Sequence, residues 1–142
     1  MRARDPRADQ ALALLRVVVG IVFVAHGWQK FFQIGIPGVT GWFTQIGAPF
    51  PTISAPFIAT LELAGGAALI AGLFARPIAF FLVCDMLGAI TLVHVRNGFF
   101  VPGGVEFVMT LAAGAAAIAV AGPGTLSADR ALAARRSRER LS

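Results

Sequence analysis

A chain of 142 residues that is 57% hydrophobic and 13% charged, with a mean hydropathy of +0.78, carries about half the charge of an ordinary soluble domain. These values argue against a free soluble enzyme and for one membrane-embedded domain. The net charge of +5 gives no support for a nucleic-acid groove, because eight of the twelve Lys and Arg (Arg2, Arg4, Arg7, Arg130, Arg135, Arg136, Arg138 and Arg140) sit in the tails without interleaved aromatic residues.

In chain order, residues 1–10 read as a basic cytoplasmic tail. An apolar run from Ala11 to Phe32 follows, long enough to cross about 30 Å of hydrocarbon. It is long for a signal-peptide core and no A-x-A-like site follows it, so an uncleaved first span over about 11–32 is expected. Arg16 interrupts it near the inner face, where its side chain can snorkel to the interface. Residues 33–53 are dense in Gly and Pro, yet Val39, Trp42, Phe43 and Ile46 fall at i, i+3, i+4 and i+7. That spacing predicts a short interfacial helix covering the outer end. Ser54 is placed to cap a second span over 55–75, with Pro56 in its first turn and Ala59, Gly65, Gly66, Ala68 and Gly72 allowing close helix packing.

Arg76-Pro77 predicts a tight turn into a third span over 78–95, which carries Asp85 and His94. Its Cys84 is the sole cysteine, so no internal disulfide or Cys-based zinc site forms, and the thiol reads as packed and inert. The turn RNGFFVPGG (96–104) leads to a fourth span over 105–121 made largely of small residues. The GPG at 122–124 ends it. Residues 122–142 then read as an Arg-rich amphipathic cytoplasmic tail, with Ser127 capping a helix that lies on the anionic inner leaflet. With Arg76 and both tails on one side, the charge bias predicts cytoplasmic termini in a bacterial inner membrane. The expected fold is all-α: a membrane-embedded four-helix bundle with a short interfacial helix between spans 1 and 2.

This topology collects the interior's ionisable residues at the outer end. His26 and Lys30 are i, i+4 on one helix face. Glu62 lies about 12 Å below the outer start of the second span. His94, Arg96 and Asn97 end the third span, and Glu106 begins the fourth. A buried carboxylate in a bilayer needs a partner, and Lys30 is the natural one for Glu62. Each residue also has a plainer role: Glu106 as a helix-dipole carboxylate, Lys30 and Arg96 as snorkelling anchors, His94 as an interfacial hydrogen-bonding group. Asp85 is read as deeper, in an ion pair with Arg16 or Arg76. A metal is not expected, since the Glu-x-x-His pairs of di-iron bundles are absent, and neither is a haem, for which His26 and His94 would be the axial ligands.

The motifs HGWQKFF (26–32), GWFTQIGAPFP (41–51), ELAGGAALIAGLFARP (62–77), HVRNGFF (94–100), GGVEF (103–107) and GPGTLSAD (122–129) together resemble the DoxX family of small four-span bacterial membrane proteins. The resemblance covers nearly the whole chain. It implies association with membrane oxidoreductase complexes, among them the DoxD subunit of thiosulfate:quinone oxidoreductase. The family's recurring polar positions correspond here to His26, Lys30, Glu62, His94, Asn97 and Glu106.

The leading expectation is a quinone-linked oxidoreductase subunit, with Glu62, His26 and Lys30 as catalytic groups. His94, Asn97, Glu106, Trp42 and Phe43 would contact substrate, and Phe23 and Phe31 would complete the pocket wall. Two alternatives stand beside it: a non-catalytic anchor for a soluble redox enzyme, and a small proton-coupled transporter built as a homo-oligomer.

Overall fold

The computed structural model describes residues 5–139, so Arg2, Arg4 and Arg140 of the predicted basic tails lie outside the described residues. Four apolar helices make the bundle: α1 (Pro6–Ile34), α3 (Pro51–Ala71), α4 (Ala75–Asn97) and α5 (Glu106–Ala121). The short helix α2 (Ile36–Gln45) joins α1 to α3, and α6 (Ala128–Glu139) follows the bundle. Three of the four, α1, α3 and α4, are long and apolar enough to cross a membrane. At 16 residues, α5 extends only about 24 Å.

The helices form a ring in which α1 packs on α3, α3 on α4, α4 on α5 and α5 back on α1. The core runs down its centre through Val19, Phe23, Leu69, Leu82, Leu111 and Ile118. The closest crossing is between α1 and α3, and glycine makes it possible. A Cβ on Gly27 would lie 2.4 Å from the backbone nitrogen of Leu63, and one on Gly66 would lie 2.8 Å from the carbonyl oxygen of Gly20. In a membrane such backbone contact is a main source of helix association.

Several expectations need correcting at the helix ends. α1 begins at Pro6, inside the segment read as a tail, because Asp5 caps it by accepting from the Arg7 N–H at 2.9 Å. Ser54 does not cap α3. That helix starts at Pro51, behind a left-handed Phe50, and both Ser54 and Pro56 lie inside it. Arg16 does not snorkel: it is buried, and its guanidinium donates to the carbonyls of Pro123 and, at 2.7 Å, Leu126.

Segment 122–127 is thereby folded onto the end of the bundle where α1 begins, which is termed the inner end after the charge-bias expectation, the opposite end being termed outer. Asp9 accepts from Thr125 Oγ1 at 2.7 Å, and Asp129 caps α4 by accepting from the Phe74 and Ala75 N–H groups at 2.9 and 3.2 Å. Arg76 donates to the Val120 carbonyl, and Ser127 Oγ accepts from the Arg130 N–H at the start of α6. The described part of the N-terminal segment, the α3–α4 turn and segment 122–129 therefore share one end of the bundle. No residue of α6 is buried.

Candidate functional site

At the other end the bundle opens into a cavity of about 760 Å³, within the usual size range of small-molecule sites. The face of α2 predicted from its spacing is the one turned to the cavity. Val39 and Phe43 are buried, and Val39, Trp42, Phe43 and Ile46 all line the wall with Ala48 and Pro49. Phe23, at the top of the bundle core, lines it from α1. Phe107, Val108 and Leu111 contribute from α5.

The polar groups come from three helices. Lys30 donates to Glu62 Oε2 at 2.5 Å, and these side chains are only 14% and 5% exposed. The pair forms because the Gly27–Leu63 backbone contact sets the helices carrying Lys30 and Glu62 against each other. His26, one turn below Lys30, leans on the Phe107 ring at 6.1 Å between centroids and stands within electrostatic reach of both Glu62 and Lys30. His94 lines the same cavity from α4. Its Nδ1 lies 2.7 Å from the Gly103 carbonyl, which can only accept, so Nδ1 carries the proton and Nε2 remains for a ligand.

Each of these three helices carries a π-helical turn at this end: Gln29–Ile34, Leu61–Gly65 and Ile90–His94. Lys30, Glu62 and His94 each sit in one of them. Such turns frequently occur at functional sites, because the extra residue re-aims side chains without ending the helix.

Asp85 joins the cavity although the sequence placed it elsewhere. It pairs with neither Arg16 nor Arg76, whose guanidinium groups bind backbone carbonyls at the inner end. It lines the cavity and interacts with Glu62, and its Oδ2 is buried without a hydrogen-bond partner. Depth explains the error. With α3 starting at Pro51, Glu62 lies about 16 Å from that helix's outer end, and Asp85 lies about 18 Å from the outer end of α4. Ser54 Oγ is also buried, unpartnered and on the cavity wall.

Other candidates fall elsewhere. Glu106 accepts from the Val101 N–H at 2.7 Å, and Asn97 donates to the carbonyls of Val93 and Gly103; both brace the 98–105 turn and neither lines the cavity. Phe31 is off the wall, against Phe32. Cys84 is exposed rather than packed, and it is on the wall. Among the described residues no three His, Cys, Asp or Glu side chains are grouped so as to hold a metal ion.

Comparison with known proteins agrees with this architecture. The DoxX family model matches residues 11–95. "Putative oxidoreductase CatD" of Bacillus subtilis is 34% identical over 82% of each chain. An uncharacterised membrane protein of Mycobacterium tuberculosis is 33% identical over 85% of this chain and 80% of its own. "Inner membrane protein YphA" of Escherichia coli is 26% identical over 84% of this chain and 88% of its own. No solved structure matches the chain. The protein belongs to the DoxX family of membrane proteins.

Proposed function

We propose that the protein is the quinone-reactive membrane subunit of an oxidoreductase, and that the cavity under α2 receives the quinone ring. The observation that carries this reading is the pairing of a largely apolar cavity with a compact set of proton-bearing groups, Lys30, Glu62, His26 and Asp85, at one side of it. Aromatic walls suit the ring faces. The Lys30 ammonium and the His26 imidazole are donors for the ring's carbonyl oxygens.

Reduction of a quinone takes two electrons and two protons, one proton to each carbonyl oxygen. In this reading the electrons come from a reduced soluble redox enzyme docked to the bundle. Lys30 and His26 pass protons to the two oxygens, and the Glu62 carboxylate, with Asp85 beside it, relays replacement protons to them from the solvent. The B. subtilis relative's name as an oxidoreductase supports the reaction class. The protein sits in the bacterial inner membrane with both termini cytoplasmic, as the clustering of Arg7, Arg76 and the Arg-rich tail at one end favours. The E. coli relative's name supports that location.

The test is quinone-analogue binding and quinol formation in membranes containing wild type, Glu62→Gln or His26→Ala. Quinol formation should fall by about 10²-fold or more in Glu62→Gln, in the range of a lost proton-transfer group. Unchanged binding and turnover in both folded variants would leave a non-catalytic anchor as the better reading.

A further inference from the structure

α2 covers the cavity above and the core lies below it, while its side between α3 and α4 is open. α3 and α4 pack closely along Leu61–Ala71 against Ala75–Ala89. Beyond that, Pro51–Thr60 packs on α1 and α2 instead. In the space so left, Phe57 of α3 and Phe81, Cys84 and Leu92 of α4 each line the cavity and are also exposed on the outside of the bundle. With Gly88 the α4 residues form one stripe at spacings of three and four. None is ionisable apart from the Cys84 thiol, and all lie within the membrane-spanning length of their helices. A Cβ added at Gly88 would meet nothing within 4 Å, so the stripe borders open space.

We infer that the cavity takes its ligand sideways from the hydrocarbon through this gap between α3 and α4. The ligand is then a lipid-dissolved amphiphile. Its polar head meets Lys30, Glu62 and His26, and its apolar tail stays in the gap against Phe57, Phe81 and Leu92. The identity of the head rests on the quinone reading; the gap and the tail do not.

The experiment uses the full chain in nanodiscs, with a ring-only benzoquinone, fully substituted so that it does not add to thiols, and the same ring with a decyl chain in place of one methyl. Affinity is read from tryptophan quenching, and alkylation of Cys84 from mass spectrometry. Wild type should bind the decyl compound more tightly, and that compound alone should slow Cys84 alkylation. Gly88→Phe projects a ring into the gap from a Cβ with nothing within 4 Å, and should cut the ratio of decyl to ring-only affinity by about tenfold, because the tail then loses its place between the helices. Gly41→Phe, on α2 off the cavity wall, should leave the ratio as it is. If both compounds bind but Gly88→Phe leaves the ratio unchanged, or the decyl compound does not protect Cys84, the lateral gap is overturned while the quinone reading stands. If neither compound binds wild type, the quinone reading falls and the proposed head with it.

Discussion

The two ends of the bundle hold similar residues put to different use. At the inner end Arg16, Arg76 and Asp129 direct their charge at backbone groups, to the carbonyls of Pro123, Leu126 and Val120 and the N–H groups of Phe74 and Ala75. At the outer end Lys30, Glu62, His26 and Asp85 face one another beside open volume; Asp85 Oδ2 and Ser54 Oγ there, like Arg16 Nε at the inner end, are buried without a hydrogen-bond partner. A charge matched to backbone ties chain segments together. A charge matched only to another side chain, beside a cavity, can exchange its partner for a ligand. For Arg16, Arg76 and Asp129 against Lys30 and Glu62, the type of partner separates the fastener from the proposed site.

Variants that respect this division should separate stability from binding. The largest effect is expected from Lys30→Met, which leaves Glu62 buried without its cation. Loss of one partner of a buried pair costs about 3–5 kcal/mol, and thermal unfolding in detergent should show it together with loss of quinone binding. Arg16→Met comes next. Removing its bonds to the Pro123 and Leu126 carbonyls should cost on the order of 2–3 kcal/mol, read by the same unfolding scan, with ring-only quinone affinity unchanged. An effect on affinity as large as that of Lys30→Met would erase the distinction between the ends.

Gly27→Ala tests the step that links packing to the site. Its Cβ has backbone, not a flexible side chain, in its way, so α1 and α3 must move apart at a cost of about 1–3 kcal/mol. Quinone affinity should fall with stability, because the same crossing sets Lys30 against Glu62. Asp129→Ala is the mildest. Loss of a cap costs about 1 kcal/mol, seen as a small drop in unfolding midpoint with binding intact.

Much of the outer end was legible in the sequence. The i, i+3, i+4, i+7 pattern of Val39, Trp42, Phe43 and Ile46 marked α2 and its inward face, and the need of Glu62 for a cation pointed to Lys30. Asp85 reads as too deep in the sequence, and a strict 3.6-residue period would in addition set positions 85 and 94 about 180° apart. The π-helical turn Ile90–His94 inserts a residue and turns the later part of the helix by about 100°, which lets Asp85 and His94 line one cavity. Nothing in local propensity announces such a turn. The inner fastener was missed for a different reason. GPGTLSAD reads as a helix stop and a cap, and its bonds to Asp9 and Arg16 span more than a hundred residues, beyond the reach of any local pattern.

The central claim is that the buried charge pair serves a ligand and is not only a brace between helices. Ring-only quinone binding to Lys30→Met/Glu62→Met measures this most directly, since replacing a buried pair with apolar residues of similar volume is often neutral for stability. The double variant should unfold near the wild-type temperature and lose at least about tenfold in affinity, the scale of one charge-assisted hydrogen bond. A well-folded double variant that binds the ring as tightly as wild type would contradict it.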